Sequence, residues 1–218
     1  MDTSNRTRIN FYIDGFNLYH AIKDLNRPEL KWLDLRAVCE GFIDLQTQEI
    51  ERIYYFSAMS THRPRGLRRQ EQYIKALRHT GVDVVLGKFF AKRRSCNNCQ
   101  STWWAHEEKR TDVNLALRLV LDAIDDKFDK AFIVSRDSDF VPAIREVVER
   151  CPEKRLCLLA PPNLKHSGDL KRCLPPSQQK NCLKSLKIIH LERAQLPDEV
   201  KDERGELIAS RPIEWEQR

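Results

Sequence analysis

Two hydrophobic periodicities alternate along the chain. Compact apolar runs of strand length stand at 8–14 ("RINFYID"), 50–58 ("IERIYYFSA"), 82–90 ("VDVVLGKFF"), 130–135 ("KAFIVS") and 154–162 ("KRLCLLAPP"). Between them, 16–25, 32–43, 63–81, 111–126 and 139–151 read as helices. Leu18, Ile22 and Leu25 fall on one stripe of the first. The helix over 63–81 closes on Gly81, a natural residue just beyond a helix C-terminus. The clearest helix is 111–126, where Val113, Ala116, Leu117, Val120, Leu121 and Ile124 form an apolar stripe of the kind that faces a core. A last edge strand is predicted at 185–191, "SLKIIHL". The segment 91–110 is a polar excursion, and the tail from Pro197 is charged and irregular.

Strands that alternate with helices, and that are apolar without a period of two, predict a parallel sheet covered on both faces. In such a sheet the functional crevice lies at the carboxyl ends of the strands, where strand order reverses. The predicted division is a domain over 1–192 and a charged tail, 193–218, packing on it or extending from it. With 218 residues, 41% hydrophobic and 32% charged, the chain has the size and balance of one globular α/β domain. No apolar run reaches the length of a bilayer span, and the polar start lacks the apolar stretch of a secretory signal. Seven cysteines, an odd number without a disulfide framework, place the expected compartment in a reducing cytoplasm.

The net charge of +6 is modest, so its placement matters more than its sum. Arg63, Arg65, Arg68 and Arg69 on one helix, and Lys88, Lys92, Arg93 and Arg94 beyond it, suit a polyanion such as nucleic acid. A solvated helix face is the plainer account of any one such run.

Three aspartates carry the candidate chemistry. Asp14 ends the first predicted strand and Asp137 follows the fourth, so both enter one crevice if those strands are neighbours. Asp112 opens the strongest helix, where a carboxylate meets the positive end of the helix dipole. Carboxylates that converge stay ionised cheaply only around a cation. Oxygen ligands without a paired His or Cys favour Mg²⁺ or Mn²⁺. Each residue also has a structural role open to it. Asp112 suits a first helical turn, Asp14 before Gly15 a tight turn, and Asp139 an N-cap with Pro142 in the turn that follows.

Cys96-x-x-Cys99 followed by His106 is a partial zinc pattern lacking a fourth ligand nearby. The alternative is a pair of plain thiols in a β-ribbon. Trp103 and Trp104 beside it offer faces on which unpaired bases stack, although one of them is expected to pack under the excursion. No Gly-rich phosphate loop is present, which argues against a nucleoside triphosphatase or a dinucleotide cofactor.

Four stretches, "YIDGFNLYH" (12–20), "EEKRTDVNLALRLVLDA" (107–123), "IVSRDSDFVPAI" (133–144) and "LPDEVKDERGELIASRPIEW" (196–215), resemble the NYN domain family of PIN-like metal-dependent nucleases. The resemblance implies a three-layer α/β/α sandwich around a mainly parallel, PIN-like or Rossmann-like sheet. It also implies that Asp14, Asp112 and Asp137 form the acidic metal centre, with Asn17 and Asp139 supporting it. The family reads Ser-Gly-Asp-Ser-Asp where this chain has Ser135-Arg136-Asp137-Ser138-Asp139. Arg136 therefore either strains the loop or brings a guanidinium toward a substrate phosphate.

The expected function is a cytoplasmic ribonuclease using Mg²⁺ or Mn²⁺ on single-stranded RNA, because a recessed centre suits a flexible strand. One rival is a non-catalytic RNA-binding module with a vestigial acidic pocket. Another is a phosphohydrolase of the haloacid dehalogenase type. That chemistry needs a second Asp two residues after the first, and Phe16 stands there.

Overall fold

The computed structural model describes residues 6–216. Residues 1–5, half of the polar start, and 217–218, the last of the predicted tail, lie outside the described residues. The fold is an α/β sandwich. Its seven-stranded sheet runs in the order β4-β3-β2-β1-β5-β6-β7. The strands are β1 (Thr7–Asp14), β2 (Gln48–Ala58), β3 (Asp83–Ser95), β4 (Thr102–Lys109), β5 (Lys130–Val134), β6 (Arg155–Ala160) and β7 (Leu183–Ser185). Every pairing in the sheet is parallel except β3 with β4.

Chain order places the functional crevice. The chain lays β2, β3 and β4 on one side of β1, then returns to put β5 against its other side. Strand order therefore reverses between β1 and β5, where Ile13 pairs with Val134. The runs Phe11–Ile13 and Phe132–Val134 are buried, as continuous apolar strands in a covered sheet should be. Phe11 and Phe132 stack across the pair at 4.8 Å.

Helix α1 (Gly15–Lys23) starts directly from the end of β1. That abrupt turn requires Gly15, because a Cβ there would lie 2.6 Å from the Phe56 carbonyl oxygen and from the Tyr55 ring. Helices α3 (Pro64–His79) and α4 (Thr111–Ile124) follow the predicted stretches closely. Two other expectations are corrected. The helix predicted over 32–43 shrinks to α2 (Leu35–Glu40), because Asp34 caps it by accepting from the Ala37 amide. The strand predicted at 185–191 is displaced: β7 ends at Ser185 and "IIHLER" forms the helix α8 (Ile188–Arg193). A short apolar run with no periodicity cannot distinguish the two.

The apolar stripe assigned to α4 is the outward one. Val113, Leu117, Leu121 and Ile124 are 51–59% exposed, while Ala116 and Val120 are half-buried. The buried side holds Leu115, Leu119 and Ala123 together with Thr111 and Asp122. Two polar residues disguise that face in the sequence. Asp122 is buried there because it accepts from the Tyr12 hydroxyl at 2.8 Å.

α5 (Val141–Arg150), α6 (Gly168–Cys173) and α7 (Pro176–Cys182) complete the helices. The tail is ordered as a hairpin of β8 (Glu199–Lys201) and β9 (Leu207–Ser210). Trp215 beyond it packs between Trp32 and Tyr73. Among the described residues no helix is long and apolar enough to cross a membrane.

Candidate functional site

The ends of β1 and β5 are tied through side chains. Asp14 is 4% exposed. Its Oδ1 accepts from the Asn17 amide at 3.0 Å, which caps α1. Its Oδ2 accepts from the Ser135 hydroxyl at 2.9 Å. The Ser135 oxygen accepts in turn from the Asp137 amide at 3.0 Å. Asp137 Oδ1 accepts from the Asp139 amide at 2.9 Å and caps the 3₁₀ turn Ser138–Phe140 that leads into α5. Asp139 itself caps nothing. The predicted cap is thus shifted by two residues to Asp137. Capping occupies one oxygen of each carboxylate and leaves further lone pairs free.

Asp14 and Asp112 both sit near other negative charge. Burial is the main cause that pushes Asp14 up to about 6, with Asp112 and Asp137 adding repulsion. Asp112 is also raised, first by burial and then by Glu108, Asp137 and Asp139. Glu108 is a member of this group that sequence reasoning missed. It accepts from the Thr111 amide at 3.0 Å and from the Thr111 hydroxyl, so it caps α4 beside Asp112. Its Glu-x-x-x-Asp spacing across a strand-to-helix junction is a faint signal, because Arg110 between them takes a left-handed backbone (φ 80°) that the sequence does not announce.

Arg136 carries no strain. It is absent from the residues with positive φ, and its amide donates to Asn17 Oδ1 at 3.3 Å. Asn17 therefore ties α1 to the Asp137 loop.

Asp14, Asp112, Asp137 and Glu108 line a cleft of about 740 Å³. Arg63, Arg69 and Arg136 line it too. Arg65 and Arg68 border a shallower groove beside Gln72 and Pro212. Arg69 is also paired with Glu214 of the tail at 2.7 Å. The predicted basic surface is further split by the β3–β4 ribbon. Lys88, Phe90, Lys92 and Arg94 pair with Lys109, Glu107, Ala105 and Trp103, and alternation places all eight on one face. Phe89, Ala91 and Arg93 pair with Glu108, His106 and Trp104 on the other. Phe89, His106 and Glu108 line the cleft, so Lys88, Lys92 and Arg94 point away from it. Arg94 is held there by Glu107.

Cys96, Cys99 and His106 are not brought together. The two cysteines sit at the ribbon's tip, where the Cys99 thiol is drawn down to about 7 by Ser101 and then Cys96. His106 lies four residues up β4 from Thr102, roughly 13 Å at the rise of a strand. There it stacks on His62 instead, centroids 4.0 Å apart. Cys39, Cys151, Cys157, Cys173 and Cys182 are buried elsewhere.

Residues 8–173 match the family described as NYN domain. The chain belongs to the NYN domain family. NYN domains are PIN-like, a nuclease-type fold, and PIN-like nucleases commonly use divalent metals. The chain is 33% identical to 6-hydroxy-3-succinoylpyridine 3-monooxygenase HspA of Pseudomonas putida, over 65% of this chain and 55% of that protein. It therefore spans about half the length of the curated relative it matches. It also resembles the crystal structure of VPA0982, a protein of unknown function from Vibrio parahaemolyticus. That likeness has a TM-score of 0.54 at 20% identity, over 86% of this chain and 96% of the other, and it bears on the fold alone.

The donor set of this NYN domain fits a hard divalent ion. Its oxygens are carboxylate, they lie in a cleft, and neighbouring negative charge raises the proton affinity of Asp14 and of Asp112. Among the described residues no three His, Cys, Asp or Glu side chains are gathered closely enough to enclose an ion as they stand.

Proposed function

We propose that this NYN protein is a metal-dependent ribonuclease that hydrolyses phosphodiester bonds in single-stranded RNA, within the cytoplasm. The observation that carries this reading is the placement of Asp14, Asp112 and Asp137 at the reversal of strand order, with Glu108 beside them. Asp14, Asp112 and Asp137 would hold the metal. A bound divalent ion supplies Lewis acidity to the phosphate and lowers the pKa of water.

The remaining work falls to the chain. Ser135 and Asn17 fix the Asp14 carboxylate and the Asp137 loop relative to each other. Glu108, pinned by Thr111, fixes the start of α4 and so the position of Asp112. Arg63 and Arg136 at the cleft wall meet the RNA backbone as charge-assisted donors. Arg63→Ala is expected to lower the slope of log K against log salt by about 0.7, the value for one phosphate contact on a single strand. Lys92→Ala, on the ribbon's far face, should leave the slope nearly unchanged. Equal effects in a binding titration would show that the cleft does not guide the strand.

The test is incubation of the purified protein with single-stranded RNA, duplex RNA and DNA, with Mn²⁺ and with chelator. Cleavage of the single strand that needs the metal supports the reading. Binding without cleavage points to an RNA-binding module with a vestigial pocket. The same preparation incubated with 6-hydroxy-3-succinoylpyridine tests the activity in the relative's name. Turnover of that compound with RNA left intact overturns the nuclease reading.

A further inference from the structure

The cleft-side face of the ribbon carries an aromatic series that the acidic centre does not use. Phe16, the second residue of α1, stands two positions from Asp14. Phe89 meets it edge to face at 5.8 Å. His62 meets Phe89 edge to face at 5.0 Å and stacks on His106 with ring planes within 5°. All four rings line the cleft. Trp104 is next on the same ribbon face, two residues from His106, or roughly 7 Å along the strand. It is 66% exposed and paired in register with Arg93. Trp103, its neighbour in sequence, is 50% exposed on the opposite face, beside Arg94.

We propose that Phe89, His62, His106, Trp104 and Arg93 form a stacking ledge for unpaired bases of an RNA strand whose phosphodiester lies at the carboxylates. The ledge rests on the ribonuclease reading and adds how that site selects its substrate. A planar base gains by stacking on an exposed ring, and each base has such a face whatever its sequence. A duplex has already stacked and paired its bases, so it cannot use the ledge without opening. Arg93 adds a cation beside the indole, suited to the phosphate that accompanies each stacked base. His62 contributes a half-buried ring at the cleft wall, held in place by its stack on His106. Two exposed tryptophans adjacent in sequence but on opposite faces provide an internal control.

The experiment measures anisotropy of a labelled twelve-nucleotide RNA, single-stranded and as a duplex, with full-length protein in chelator so that nothing is cleaved. Trp104→Ala is expected to weaken single-strand binding roughly tenfold, a typical loss for one stacked base, and to leave duplex binding unchanged. Trp104→Phe should restore most of the loss, and Trp103→Ala should have little effect. Circular dichroism controls for folding, which an exposed side chain should not disturb. The ledge is overturned if Trp104→Ala binds like wild type, if both tryptophan variants lose equally, if duplex binding falls in parallel, or if wild type binds no RNA. The two readings fail separately. Wild type that binds through Trp104 yet never cleaves with Mn²⁺ keeps the ledge and loses the nuclease. Wild type that cleaves while Trp104→Ala binds normally keeps the nuclease and loses the ledge.

Discussion

Asp14→Asn should abolish metal-dependent cleavage and, at the same time, raise the melting temperature of the metal-free protein. The two effects share a cause. A carboxylate that is 4% exposed and near two others is held at a cost when ionised without a cation. Its folded value of about 6 stands above the ordinary 3.8. Between those values the folded state binds the proton more tightly, so stability falls as pH rises from about 4 to about 6 and stays lower above. Asn has no such dependence, and it keeps an oxygen to accept from the Asn17 amide. At pH 7.5 the variant should gain on the order of 2 kcal/mol, or roughly 4–8 °C for a chain of this size. Below about pH 4 the advantage should disappear. Mn²⁺ should stabilise wild type by mass action and the variant much less. Activity should fall at least about a thousandfold, since an ion at a phosphoryl centre contributes several kcal/mol to the transition state. RNA affinity in chelator should change little, because the cleft arginines remain. Full metal-dependent cleavage by Asp14→Asn would leave Asp14 and Asp137 with their capping roles alone.

Asp137→Asn should behave alike in activity, since Asp137 raises both Asp14 and Asp112. Asp139→Asn separates the roles. Asp139 caps nothing, so the substitution should leave stability nearly unchanged. Any large loss of activity would then come from its charge near Asp112.

The legible parts of this fold are those where one residue class serves one purpose. β1 and β5 are apolar on both faces and end in Asp14 and Ser135-Arg136-Asp137, so pattern alone places them in a covered sheet. Legibility fails where a residue serves two purposes. α4 buries Thr111 and Asp122 because each is satisfied by a side chain distant in sequence or across a junction, Tyr12 for one and Glu108 for the other. Pattern reading therefore chose the apolar stripe that faces outward. The sequence offers Asp14 as a turn or a site residue and Asp139 as the cap, whereas Asp14 and Asp137 are the caps and both face the cleft. Glu108, His62 and Phe89 join the cleft only through the register of the β3–β4 ribbon and the approach of the turn before α3. A hairpin's register is set by its turn, and Cys96–Gln100 gives no standard turn signature.

A chain ended after Glu192 is expected not to fold cooperatively, although the tail reads in sequence as charged and irregular. Leu196, Val200, Ala209 and Trp215 are nearly fully buried and form one cluster with Trp32 and Ala76. Removing them also uncovers Trp32, whose ring is now 0% exposed and whose Nε1 donates to the Pro197 carbonyl at 2.8 Å. The backbone loses partners as well: the Asp34 amide donates to Ala194 O at 2.8 Å, and the Leu196 amide to Trp32 O at 3.1 Å. At roughly 1.5–3 kcal/mol per buried large side chain, the loss is on the order of 8 kcal/mol. A domain's whole stability is about 5–15 kcal/mol, so a loss of this size takes roughly half of it or all of it. Trp215→Ala is the graded version and should cost about 3–4 kcal/mol. It should also disturb the cleft, because Trp215 and Tyr73 both line it and meet at 5.9 Å. The cost should therefore appear as a lower denaturant midpoint together with weaker RNA binding. A truncated chain with an unchanged midpoint and near-ultraviolet spectrum would show that the tail rests on the domain without holding it.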